Sequence, residues 1–279
     1  MKQLNPPTFD AAVAVNTCAE GITIPERAQA LLDALHVIQI SEAEYYERGA
    51  AGNLFMITGS THVTPTIDSE LMGVIYKSHF ARIGSPSRAL YEQIRMAPKY
   101  GICPLCGQRS VATVDHYLPQ SQHPKLNLTP INLVPSCSDC NKKKLANVAI
   151  RAEDQTLHPY FDNIGSDRWL IANIQETSPI AIVFNIRPPA SWSSTLADRV
   201  RHHFQIFGLA ELYVAQAASE LADIYISLLE IDNAEGIHQH LDSEYRSRKA
   251  RDANSWKTAL YEGLRDSNWF CNEGYKLIE

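Results

Sequence analysis

Apolar residues recur every three or four positions through several long stretches of this chain, the period of an amphipathic helix. Residues 26–40 carry Ala30, Leu31, Ala34, Leu35 and Ile38 in that register, and Pro25 suits the first turn of such a helix. The same period predicts helices over residues 68–82, 87–96, 209–231 and 242–264, with a helical pattern from Thr195 onward. In 209–231, Val214, Ala217, Leu221, Ile224 and Leu228 form one stripe. Two segments read differently. Residues 169–174 and 180–186 are apolar and β-branched and flank Ser178-Pro179, which predicts a β-hairpin. Residues 1–25, with Pro6, Pro7 and Pro25, read as extended or irregular, and the glycine-rich 49–60 as a loop. The chain divides into a mostly helical region at 1–98, a small module at 99–163, and a hairpin with helices at 164–279. The predicted class is α+β, mainly α.

Two cysteine pairs change this picture. Cys103/Cys106 and Cys137/Cys140 are each spaced Cys-x-x-Cys, whereas Cys18 and Cys271 are isolated and read as small apolar residues. The N-terminus lacks a basic stretch followed by an apolar run, and no apolar run approaches the about 18 residues that span a bilayer, so a cytoplasmic protein with no membrane partner is expected. In a reducing compartment paired hooks favour a metal over disulfides. Four thiolates make a closed tetrahedral site for structural Zn2+. The gap between the hooks is too long for a compact zinc ribbon and must hold an insert with its own structure.

Charge points to the same segment. Between Lys99 and Arg151 seven Lys/Arg face two acids, a local +5 in a chain of net −6, which leaves −11 for the remainder. A basic module in an acidic body suits a local phosphate-binding surface.

The insert reads Val114-Asp115-His116-Tyr117-Leu118-Pro119, then Ile131-Asn132-Leu133-Val134-Pro135, and the second hook runs into Cys140-Asn141-Lys142-Lys143-Lys144. A carboxylate and an amide oxygen suit a hard cation such as Mg2+, and a neutral imidazole can take a proton from water near neutral pH. Successive strand residues point to opposite sides, so Asp115 and His116 must sit at a strand end to serve one site.

From about Gly101 to Leu145 this pattern resembles the HNH endonuclease family, whose active site is a ββα-metal (His-Me) finger. The resemblance implies a phosphodiester hydrolase with His116 as general base and Asp115 and Asn141 holding a catalytic Mg2+ or Mn2+. It implies that Asn132 orients the loop carrying the histidine, and that Lys144 contacts phosphate, with Lys142 beside it. Many members have His where this chain has Asn141; family patterns include both. His123 and His158 are secondary candidates, and Asp139 is either a support for the site or an exposed helix acid. Arg246, Arg248 and Lys249 form a second basic cluster that either tracks a nucleic-acid backbone or pairs with nearby acids. The finger followed by His158-Pro159-Tyr160 also resembles PtuB-like nuclease subunits of bacterial anti-phage (Septu- or retron-associated) systems. That implies an antiviral defence role with an ABC-type ATPase and a retron or other sensor. The substrate is nucleic acid, DNA or RNA, with no base-reading motif. The alternative is a zinc-stabilised nucleic-acid-binding or adaptor protein that does not cleave.

Overall fold

The computed structural model describes residues 1–145, 148–164 and 167–278. It is mainly helical with three separate two-stranded antiparallel sheets, and it divides into two packing units, Met1–Asn163 and Ile164–Glu279.

The first unit opens with a helix where an irregular segment is expected, α1 (Ala11–Glu20). Asp10 caps it, its Oδ1 accepting from Val13 N at 3.0 Å. The Ala11 N–H is taken by the Glu42 carboxylate, at 3.0 and 3.1 Å to its two oxygens. The prolines on either side concealed this cap, and Glu42 lies 31 residues away in sequence. Pro25 does begin a helix, α2 (Pro25–Asp33), and α3 (Leu35–Ala50) follows after a break at Ala34. The helix expected over 26–40 is thus two helices, and the second runs into the expected loop. In its last turn Gly49 has no side chain where a Cβ would collide with the Phe161 ring. Leu54–Met56 form a 3-10 turn with Leu54 buried. A short hairpin, β1 (His62–Thr64) and β2 (Ile67–Asp68), leads to α4 (Ser69–Ile75), capped by Asp68. α4 continues as a π turn over Tyr76–Phe80, and α5 (Arg88–Met96) follows.

Next come β3 (Thr113–His116), β4 (Leu133–Ser136) and α6 (Ser138–Lys144). The strands pair antiparallel, with Thr113 opposite Ser136 and His116 opposite Leu133. The first unit's core is continuous across these parts: Val114, Leu128 and Leu133 pack with Ile38, Met72, Phe80 and Ile94 of the preceding helices.

The second unit contains the expected hairpin, β5 (Leu170–Gln175) and β6 (Ala181–Ile186), in register from Leu170 opposite Ile186 to Gln175 opposite Ala181. Five helices follow: α7 (Ser194–Ile206), α8 (Leu209–Leu229), α9 (Ala234–Arg251), α10 (Trp256–Asp266) and α11 (Asn268–Asn272). The single helix expected over 242–264 is α9 and α10, broken at residues 252–255. The break has a use. Asn254 Oδ1 accepts from Trp169 N at 3.0 Å and its Nδ2 donates to Asp167 O at 2.7 Å, so its amide holds the start of β5. Ser255 caps α10 through Thr258 N at 3.1 Å. Among the described residues no helix is long and apolar enough to cross a membrane.

Candidate active site

β3 is an edge strand, and its outward backbone groups are satisfied by the preceding helices. The Val114 N–H donates to the Tyr91 hydroxyl at 3.2 Å, and the Tyr76 hydroxyl donates to Val114 O at 3.4 Å. Buried backbone groups need such partners. The strand ends at His116, which resolves the alternation problem: Asp115 and His116, one on each side of the pleat, both line a cavity of about 580 Å³ together with Asn141 of α6. The loop from 117 to 132 returns to β4 under the control of Asn132. This side chain is fully buried. Its Oδ1 accepts from Leu118 N at 2.7 Å, and its Nδ2 donates to Leu118 O at 3.1 Å and Leu126 O at 3.2 Å. Tyr117 N donates to the Asn132 carbonyl at 2.8 Å, closing the loop at its neck.

His116 is 5% exposed, and its Nε2 lies 3.1 Å from Asn127 O. A carbonyl only accepts, so Nε2 carries the proton and Nδ1 keeps its lone pair. Burial pushes this imidazole down to about 4, with the Lys144 charge adding to the effect, so it is neutral at neutral pH. The ring packs edge-on against Tyr76 at 4.4 Å between centroids. Asp115 Oδ1 accepts from His116 N at 2.8 Å, and its Oδ2 lies 3.4 Å from Lys144 Nζ. Burial pushes the Asp115 carboxyl up and Lys144 offsets this in part. A carboxylate and an amide side chain lining one cavity are a donor set that fits a hard divalent cation.

Lys144 does not reach outward. Its side chain is 8% exposed, and Nζ donates to His116 O at 2.7 Å. The phosphate contact expected of it is corrected to an internal one, because α6 packs this face against the end of β3. Lys142 is exposed on α6 and lies outside the cavity lining.

The four cysteines of the hooks are all buried, and their sulfurs lie within 4.8 Å of one another. Four ligands about 2.3 Å from a zinc ion stand about 3.8 Å apart, so this donor set fits Zn2+ with a small contraction. Backbone N–H groups already point at two sulfurs, Arg109 N to Cys106 and Cys140 N to Cys137, each at 3.4 Å. Hydrogen bonding from Cys103 pushes the Cys137 thiol down. Cys18 and Cys271 are buried away from the cluster.

The remaining candidates are dispersed. His158 is 1% exposed and sits in an aromatic box: Nε2 is 3.0 Å from the Tyr45 hydroxyl, and Tyr160 N donates to Nδ1 at 3.2 Å. Both nitrogens are engaged within the box, and the ring does not line the cavity. His123 is also buried and also outside the cavity lining. Asp139 pairs with Arg109 at 2.8 Å. The second basic cluster is tied to acids: Arg246 to Asp242 at 2.9 Å, and Arg248 to Glu220 at 3.3 Å and to Glu244. Lys249 lies over the Tyr245 ring at 5.2 Å. Arg246 and Arg248 thus engage nearby acids, one of the two roles open to them in the sequence.

One wall of the cavity was not anticipated. It comes from α4 and the π turn, through Ser69, Glu70, Gly73, Val74 and Lys77. The only sequence signal was their spacing, three, four and seven residues from Glu70, which describes any helix face.

Residues 103–146 match a family model described as HNH endonuclease. The chain is 26% identical to "Protein ea31" of Escherichia phage lambda over 293 residues, an alignment covering 97% of this chain and 99% of that protein. No solved structure matches.

Proposed function

We propose that the chain is a metal-dependent endonuclease that hydrolyses phosphodiester bonds in nucleic acid. The observation that carries this reading is the convergence of Asp115, His116 and Asn141 on one cavity inside the segment that matches the HNH endonuclease model. Asp115 and Asn141 would hold Mg2+ or Mn2+, and the four cysteines a structural Zn2+. The divalent ion supplies charge stabilisation beside the scissile phosphate.

The chain's own residues do the rest. The Asn127 carbonyl fixes the His116 tautomer, so Nδ1 is the ring atom with a lone pair for a water proton. Burial keeps that ring neutral, so its lone pair is unoccupied near neutral pH, and the same burial makes it a weaker base than a free imidazole. Lys144 supports the two working residues together, one through its carboxylate and the other through its carbonyl. Asn132 holds the loop, so the histidine backbone is fixed before substrate arrives. Zinc on the hooks would tie residues 103–106 to the start of α6 and so fix Asn141 relative to β3.

The test uses purified protein with Mg2+ on duplex DNA, single-stranded DNA and tRNA. Wild type should cleave at least one, and His116→Ala should lose about 10²–10⁴-fold in rate. Cleavage by His116→Ala at the wild-type rate would refute His116 as the base, and a wild type that cleaves none of the three would replace the reading with a non-cleaving zinc-stabilised binding protein. The finer reading, an anti-phage effector with an ABC-type ATPase and a retron or other sensor, rests on the sequence resemblance, and the relative found over the whole length is a phage protein. Cleavage measured with and without the products of adjacent genes decides it: unchanged activity removes the partner from the account.

A further inference from the structure

We infer that Lys77, outside the segment matching the nuclease family, is the cation that binds the substrate's phosphate backbone at the active-site cavity. The inference rests on the nuclease reading above and adds to it the element that grips the substrate.

Four observations converge on Lys77. The cation expected to contact phosphate, Lys144, is buried and committed to Asp115 and His116. Of the second basic cluster singled out by sequence, Arg246 and Arg248 are paired with acids in the second unit and Lys249 lies over the Tyr245 ring. Among the described residues lining the cavity, Lys77 is the only lysine or arginine, against two carboxylates, Glu70 and Asp115. Lys77 is exposed, and no ion pair engages it among the described residues. An anionic diester entering this cavity meets unfavourable potential from the two carboxylates. A divalent ion at Asp115 and Asn141 offsets one; a free ammonium on the facing wall offsets the other.

The backbone of Lys77 is also held in place relative to the chemistry. Its neighbour Tyr76 contacts the His116 ring edge-on and donates to Val114 O at 3.4 Å. The first residue of the π turn is thus fixed to the end of β3, and Lys77 follows it directly. Single π turns inside helices are rare and recur at functional sites. Here the turn carries the lysine at the cavity wall while Tyr76 and Phe80 stay in the core.

The experiment measures binding and cleavage separately. Binding of a fluorescein-labelled DNA duplex, and of one of its strands, is titrated by anisotropy against His116→Ala and His116→Ala/Lys77→Ala across a range of KCl concentrations, with Ca2+ in place of Mg2+. Losing one phosphate contact should reduce the slope of log affinity against log salt by about 0.9 on duplex, or about 0.7 on a single strand. Between 50 and 200 mM salt, that makes the double variant about 3-fold less salt-sensitive. In the otherwise wild-type chain, Lys77→Ala should raise KM with kcat largely kept, and Lys77→Arg should restore KM. Lys276→Ala, an exposed lysine of the second unit, controls for net charge and should leave the slope unchanged. Equal slopes and affinities with and without Lys77 would overturn the inference while leaving the nuclease reading intact. An equal slope change in Lys276→Ala would also overturn it, as a general charge effect. Failure of the nuclease reading shows instead in cleavage, as a wild type that cuts no nucleic acid with Mg2+ or a His116→Ala variant as fast as wild type.

Discussion

Asn132→Asp tests the architecture of the site with almost no change of shape. The wild-type side chain makes three hydrogen bonds in a fully buried position, one accepted from Leu118 N and two donated to Leu118 O and Leu126 O. Asn132→Ala leaves the Leu118 N–H and the Leu118 carbonyl without partners, whereas Leu126 O still accepts from Thr129 N at 3.3 Å. At about 1–3 kcal/mol for each orphaned buried group, the cost begins at about 2 kcal/mol. For a packing unit of this size that corresponds to a Tm lowered by about 4–8 °C. Asn132→Asp keeps the oxygen that receives the Leu118 N–H. It replaces the donating amide with a second oxygen, aimed at two carbonyl oxygens, and buries a charge if ionised. It should therefore destabilise at least as much as the alanine variant. Thermal unfolding of the zinc-loaded protein, followed by near-UV circular dichroism, reads both variants. An aspartate variant melting with wild type would refute the clamp and the loop geometry built on it.

Three further outcomes follow from the same structure. Lys144→Ala removes the internal partner of Asp115 and His116 and should lower kcat while leaving the salt dependence of binding unchanged; a reduced slope with kcat kept would make it a phosphate contact after all. Metal analysis should find one zinc per chain in wild type and less in Cys137→Ser, with lower stability, because for a module this small metal binding is part of folding; wild type holding no zinc with four freely reactive thiols would remove the structural site. Gly263→Ala places a Cβ against the Ala172 carbonyl of β5. It should cost about 1–3 kcal/mol by overpacking, read as a lower urea midpoint, and an unchanged midpoint would contradict the packing of α10 on β5.

What could be read in the linear chain was chemistry whose signal is local. Each hook places two thiols within four residues, so spacing alone announces a metal, and the adjacent Asp115 and His116 carry the family resemblance that implies a base. The hairpin was equally plain, because period-two apolar runs around a turn describe their own pairing. Other features depended on partners far away in sequence. α1 needs Glu42 to take its first N–H, and the prolines around it spoke against a helix. Lys144 was read from its position beside a motif, but the direction of a side chain follows from how its helix packs, and α6 packs this one inward. His158 stood in a suggestive motif, yet Tyr45 and Tyr160 use both its nitrogens. The residue types that would suit two metals and a base were legible in the sequence. Tertiary structure alone decided that α4 would form the facing wall and carry Lys77 into the same cavity, because burying Tyr76 against His116 and β3 is a long-range packing event that no local pattern records.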